Sequence, residues 1–320
     1  MAVNQETRNL ALAEGVAAGV LFGTAAIFIR FLRGMDACST AFWRLAIACL
    51  VLAITFIAAR KPFELNMVKK NLKELCILGL FLGFHFVLFS FSVKDTTILN
   101  ATVLVNTAPV FSILMSRLLF KVKPSCFALV GLAISFIGIC VIAYAETVKG
   151  QDAGQSYPSS IKGDVEALLG ALLIAFYVNY GKKVRNRMNM FSIMPTIYLF
   201  GAFFVGVSSL LIGEKVFLLS FDVETVFPII GLGVFPTAVA HTLYFSSLSN
   251  LKPFETATMA LLEPVGATIL STGLLGEIPA PVFALGAALV LVGIIFILKY
   301  RSPSATGLLD KRRLKPLEDG

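Results

Sequence analysis

The chain has 320 residues, 57% of them hydrophobic and 14% charged, against about half apolar and a quarter charged in soluble domains. That surplus of apolar surface excludes an ordinary water-soluble globule and calls for a bilayer. The formal charge of +8 would suit nucleic acid in a soluble protein, but here the basic residues sit in short segments between apolar runs, so the charge reports topology and no nucleic-acid partner is expected.

A spanning helix needs roughly 20 mostly apolar residues. In chain order the candidates are 12–32, 37–59, 74–93, 97–119, 125–145, 163–181, 192–213, 225–248, 254–275 and 281–299. The first follows a polar start and has no cleavage site behind it, so it is expected as a retained helix rather than a signal peptide. The third holds no Asp, Glu, Lys or Arg between Leu75 and Val93, and one histidine, His85. The fifth and tenth carry no charge from Ser125 to Ala145 and from Pro279 to Leu298. These runs are apolar on all faces, whereas a barrel strand alternates. Helix is the expected state, because an open strand in lipid leaves its backbone unpaired.

The longest connection, 146–162, is rich in Gly, Ser and Pro and reads as a linker. It divides a first unit, 11–145, from a second, 163–300, and a polar tail follows at 301–320. Lys and Arg concentrate in 60–73, 121–123, 182–187 and 299–315, on one side of a ten-span chain. The positive-inside rule then puts both termini in the cytoplasm, with the cytoplasmic membrane of a prokaryote as the expected location. Cys38, Cys49, Cys76, Cys126 and Cys140 form no CxxC and no other metal-ligand spacing. They are expected as packing residues, with no disulfide framework, no metal site and no cofactor.

The chain repeats itself. Residues 97–144 lie on 252–299 without a gap at a shift of 155, and every Pro and Gly in the first stretch meets its own kind: Pro109 and Pro264, Pro124 and Pro279, Gly131 and Gly286, Gly138 and Gly293. Each half holds five spans, and an odd number turns the second half over. The expected fold is therefore an all-α membrane protein, ten transmembrane helices as two inverted five-helix repeats. Transporters built this way hold their solute near the midplane between the repeats.

Polar groups inside spans are costly and become candidates for the site. Glu263 precedes Pro264 in the ninth span, and serves either a substrate amine, a coupling proton or a packed anchor. His85 and His241 occupy the equivalent third and eighth spans, about one residue out of register, in segments interrupted by Gly79 and Gly83 and by Gly231, Gly233 and Pro236. Thr24, Tyr177 and Asn179 lie in the spans that open each repeat. Gly15, Gly19 and Gly23 read there as packing positions. Asn106 and Thr107 precede Pro109, with Asn100 earlier in the same span, and Tyr244 follows His241. Arg44 either snorkels toward the outer surface, with Asp36 as partner, or captures a substrate carboxylate. Interhelical hydrogen bonding is the alternative for the neutral polar groups.

Phe42-Trp43-Arg44-Leu45 in the second span, Leu262-Glu263-Pro264-Val265 in the ninth, Leu275-Gly276-Glu277 after it and Ala108-Pro109-Val110-Phe111 in the fourth together resemble the drug/metabolite transporter superfamily, in its ten-helix EamA-type branch. The resemblance covers roughly residues 11–300. Phe120-Lys121-Val122-Lys123 departs from it, where the family often has an acidic residue followed by a basic one. The resemblance implies a secondary transporter of small organic metabolites that works by alternating access, more often an exporter, with no ATPase module. The chain has no GxxxxGK[ST] loop, in agreement. A coupling proton or a counter-solute is left open. Few cations at midplane favour a neutral, zwitterionic or partly apolar solute over an organic phosphate or nucleotide sugar. A membrane enzyme would need a nucleophile–base pair or HExxH, and neither is present. A receptor or scaffold without transport is the remaining alternative.

Overall fold

Backbone groups in hydrocarbon must pair within their own segment, which makes helix the outcome for every apolar run. In the computed structural model every regular element among the described residues is helical. The structure describes residues 5–32, 34–60, 62–96, 98–120, 124–152, 160–211, 222–275 and 281–299. The middle of the linker, the polar tail, Lys121 to Lys123 and Gly276-Glu277 lie outside the described residues.

The first half comprises α1 (Gln5–Phe31), α2 (Ala37–Ala58), the short α3 (Leu65–Lys70), α4 (Leu72–Asp95), α5 (Ile98–Val105), α6 (Ala108–Phe120) and α7 (Cys126–Asp152). The second comprises α8 (Ile161–Arg185), α9 (Met190–Leu211), α10 (Val223–Leu232), a π-helix (Gly233–His241), α11 (Thr242–Ser247), α12 (Pro253–Met259), a 3-10 turn (Ala260–Leu262), α13 (Glu263–Leu275) and α14 (Val282–Lys299). Asp36 caps α2 by accepting the Ser39 N–H at 2.7 Å, and Asp222 caps α10 through Thr225, as short acids do at helix starts. α7 continues to Asp152, into the segment read as linker.

Among the described residues seven stretches are long and apolar enough to cross a membrane: Gln5–Ile29, Ala37–Ala58, Leu72–Asp95, Asn100–Leu119, Cys126–Tyr144, Met190–Leu211 and Val223–Ser247. Val282–Leu298 is apolar but shorter. Two further expected spans differ from these for visible reasons. α8 is 25 residues long but begins with Asp164 and ends with Lys182, Lys183 and Arg185. The run from Pro253 to Leu275 is interrupted by the 3-10 turn.

The helix ends gather in two sets. At one end Asn189 donates to the Pro62 carbonyl, the Ser192 hydroxyl accepts the Glu64 N–H, and Lys182 donates to the carbonyls of Leu248 and Ser249. At the other end Lys94 donates to the Met35 carbonyl, and Lys162 pairs with Asp95.

The inverted relation is written in the helix contacts. α7 and α14 run antiparallel at backbone contact. A Cβ on Gly131 would meet the Gly293 oxygen at 2.5 Å, and one on Gly138 the Gly286 oxygen at 2.7 Å, with Gly286 and Gly293 facing Gly138 and Gly131 in return. The Ser135 hydroxyl donates to the Val290 carbonyl between them. Each of these pairs joins positions that are equivalent at the shift of 155, or exchanges them, as a pseudo-two-fold axis in the membrane plane requires. The same exchange holds elsewhere: α4 packs on α8 and α9, while the π-helix, which occupies the place of α4 in the second half, packs on α1 and α2.

Close approach recurs beside the centre. A Cβ on Gly19 would lie 2.1 Å from the Met259 oxygen, and one on Gly23 2.2 Å from the Ala267 nitrogen. α1 is thereby held against the interrupted ninth helix, and only glycine permits that distance.

Candidate functional site

Proline shapes the backbone at the centre. Pro109 and Pro264 have no N–H for the carbonyl four residues earlier, at Val105 and Ala260. The fourth span accordingly breaks between α5 and α6, and the ninth tightens into Ala260–Leu262. Val105 and Ala260 are equivalent in the two halves, and both line a central cavity.

Pro236 has the same effect on the Leu232 carbonyl. The run has become a π-helix, whose i→i+5 bonding gives the Leu232 carbonyl the Thr237 N–H instead, and the Thr237 hydroxyl adds a second bond at 2.6 Å. Such turns are rare and concentrate at functional sites. Thr237 then has two further tasks. Its hydroxyl oxygen accepts from Arg44 Nε at 3.0 Å, and its carbonyl accepts from the Tyr198 hydroxyl at 2.7 Å.

Arg44 is 2% exposed. Its guanidinium lies 3.7 Å from the centroid of the Phe86 ring, a cation–π contact that holds a desolvated charge in place. It therefore does not snorkel. Asp36 is engaged as the α2 cap, and Thr237 and Phe86 offer Arg44 partners within the bundle. Among the described residues nothing hydrogen-bonds its terminal nitrogens. Glu263 lies deep in the bundle but keeps part of its surface open to the cavity. Its carboxylate has no hydrogen-bond partner among the described residues, yet feels the charge of Arg44.

The cavity has about 60 Å³ open to the centre of a water-sized molecule. On that measure about 10–15 Å³ accommodates one water, so a few fit. Phe22, Phe86, Phe89 and Tyr244 give it aromatic walls, and Arg44, Glu263, Asn106, His85 and His241 add polar groups. Both halves contribute.

The histidines differ in their bonding. His85 Nδ1 is 2.9 Å from the Gly170 carbonyl. A carbonyl only accepts, so Nδ1 carries the hydrogen and Nε2 is left as an acceptor. His241 packs against Phe22 and Phe86, with ring centroids at 4.7 and 4.9 Å. Its Nδ1 is buried without a partner among the described residues, an arrangement that costs free energy until a ligand or water fills it.

Six of the residues singled out in the sequence thus meet at one cavity: Arg44, His85, Asn106, His241, Tyr244 and Glu263. The other four lie elsewhere. Asn179 donates to Ser112 and to the Ala175 carbonyl and accepts from Ser116 at 2.7 Å, fastening α8 to α6. Tyr177 is fully buried, with its hydroxyl 3.9 Å from the Met194 sulfur. Thr24 and Thr107 donate to carbonyls of their own helices, those of Leu21 and Leu104. Thr237 and Tyr198 escaped the sequence reading. The signal that marks Thr237 is a hydroxyl residue directly after an intramembrane proline.

Comparison with known proteins decides the family. The model of the EamA-like transporter family matches residues 10–144 and again 161–299. This chain belongs to that family. The EamA-like chain is 23% identical over 314 residues to "Uncharacterized transporter YxxF" of Bacillus subtilis (strain 168), covering 95% of this chain and 94% of the relative. It is 25% identical to an "Uncharacterized transporter" of Archaeoglobus fulgidus, over 84% and 90% of the two chains. It is 28% identical to "Uncharacterized inner membrane transporter YedA" of Escherichia coli (strain K12), over 64% and 63%. One crystal structure of a protein superposes on 95% of this chain and 99% of its own, at a TM-score of 0.73 and 16% identity, a likeness of fold alone. The EamA-like chain is a multi-pass membrane transporter and not an enzyme.

Proposed function

We propose that this EamA-like transporter carries a zwitterionic, amino-acid-like solute with an apolar or aromatic body, by alternating access between two five-helix halves. One observation carries the reading: Arg44 from the first half and Glu263 from the second line one aromatic cavity, and neither charged end is satisfied by a hydrogen bond to another described residue. A carboxylate answers the first and an ammonium the second, and Phe22, Phe86 and Phe89 receive the side chain. A phosphorylated solute would bring more negative charge than one arginine offsets. The cavity holds only a few waters, so a solute of this size enters when the halves part. Ten spans with both termini cytoplasmic, an export direction, and Glu263 as the group that binds a coupling proton or gives way to a counter-solute complete the reading.

The test is binding to purified protein, read by thermal shift, with an amino acid, its decarboxylated amine and its des-amino acid compared. The intact zwitterion should bind at least ~10-fold more tightly than either fragment, since each loses one charge-assisted contact worth about 1.5–3 kcal/mol. Equal affinity for all three would contradict the pairing of Arg44 and Glu263 with opposite ends of the solute. In reconstituted vesicles, flux that ignores an imposed pH gradient would remove the proton from Glu263.

A further inference from the structure

The two ends of the bundle carry one contact in two chemical versions. Where α1 begins, Arg8 forks onto Glu255 in the first turn of α12, with Nη1 3.5 Å from Oε2 and Nη2 3.3 Å from Oε1. The two side chains are 7% and 3% exposed. Glu255 also accepts the Lys252 N–H at 2.8 Å, and Arg8 reaches the Leu298 carbonyl. At the opposite end, where α8 begins, Asp164 accepts from Asn100 of α5 at 3.1 Å and from the Thr96 hydroxyl at 2.8 Å.

These contacts are related by the repeat. Asn100 corresponds to Glu255 at the shift of 155, and Arg8 to Asp164 at a shift of 156, the shift that also relates His85 to His241. Each contact ties the opening helix of one half to the proline-interrupted helix of the other. The interrupted helices are also the ones that reach the cavity, through Val105 and Glu263. The end with Glu255 is closed by a buried, bidentate ion pair, and the end with Asn100 by a carboxylate and neutral donors. The Lys162–Asp95 pair also crosses the halves at the Asn100 end, but the Lys162 side chain is 71% exposed, where water and salt weaken it.

We propose that Arg8–Glu255 and Asp164–Asn100 are the paired gate residues of the transport cycle, and that the difference between Glu255 and Asn100 sets which end opens more readily. The proposal rests on the alternating-access reading. A bidentate arginine–carboxylate contact is stronger than a carboxylate–amide one. The Asn100 end therefore yields first, and the unloaded transporter favours opening away from the helix ends at Gln5 and Lys299.

The test uses the full chain in vesicles of known orientation, with the native cysteines replaced and Val105→Cys as a reporter in the cavity wall. A membrane-impermeant thiol reagent is added to one side at a time. Glu255→Gln should raise the labelling rate from the Gln5 side by about tenfold, equivalent to about 1.4 kcal/mol. Asn100→Arg, which builds an ion pair with Asp164, should lower the rate from the other side. Arg8→Lys should fall between the parent and Glu255→Gln, because the charge survives and the bidentate fork does not. Should Glu255→Gln fail to fold, Arg8→Gln with Glu255→Gln leaves no unpaired buried charge and must give the same increase. Unchanged rates on both sides in these variants would overturn the gate assignment and leave transport intact. A reporter that no variant exposes to either side would overturn alternating access itself.

Discussion

Thr237→Val removes one hydroxyl and leaves two groups without it. The Leu232 carbonyl loses a 2.6 Å bond and Arg44 Nε a 3.0 Å bond. Interhelical hydrogen bonds in membranes average about 0.6 kcal/mol, because a freed group usually finds another partner. The Leu232 carbonyl keeps the π-helix bond from the Thr237 N–H, so its loss stays near that average. A lost bond to a charged group costs about 1.5–3 kcal/mol, so the sum is about 2–4 kcal/mol. Val keeps the volume, which isolates the hydroxyl. The assay is paired: thermal unfolding in detergent for stability, and solute affinity for the placement of Arg44. The expected result is a clear loss of stability and at least ~10-fold weaker binding, about 1.4 kcal/mol of that total. Thr237→Ser should retain most of both. A valine variant within about 0.5 kcal/mol of the parent, the range of an ordinary surface change, would refute the link from Pro236 through Thr237 to Arg44.

Other outcomes follow from the same geometry. Asn179→Leu should lower stability by about 2–4 kcal/mol, as expected when a buried hydrogen-bond network is broken, and should leave the affinity of the folded fraction within about threefold (under 1 kcal/mol), because Asn179 does not line the cavity; a selective loss of affinity would place it in the site. Gly138→Val must push α7 off the Gly286 oxygen, which would stand 2.7 Å from the new Cβ, and should cost about 1–3 kcal/mol or more as overpacking; retained stability in a thermal melt would contradict backbone contact between the halves. Lys182 lies just past the sixth span, and burial pulls its pKa down to about 8. Its folded value is below its unfolded one, so the charged form opposes folding and stability should rise as the pH passes upward from about 8. Thermal melts of Lys182→Met should lack that part of the rise, and an identical pH profile in the variant would rule the effect out.

The sequence spoke clearly where physics acts on long runs. Spans such as 125–145 are apolar throughout, and the four Pro and Gly coincidences at a shift of 155 announced an inverted pair that α7 and α14 then display in three dimensions. Cost of burial pointed to Glu263, and near-symmetric placement in two interrupted spans pointed to His85 and His241. That cost could not separate Asn179 from the cavity, because a polar residue satisfied by Ser112 and Ser116 looks identical in sequence to one that faces a solute. Arg44 was ambiguous for a related reason: its position allowed a reach to the surface, and its inward path depends on Thr237, 193 residues away in the chain. The Arg8–Glu255 pair, 247 residues apart in the chain, appears only once α1 and α12 are laid together.

The most direct test of the two-halves arrangement is sidedness. Single cysteines placed in 65–70 and in 182–187 should label from the same compartment in intact cells, the cytoplasm, because both segments lie at the helix ends joined by Ser192 and Lys182. A cysteine at Lys162 should label only from the opposite one. Labelling of 65–70 and 182–187 from different sides would mean that the second half is not inverted, and a cavity shared between Arg44 and Glu263 could not then form.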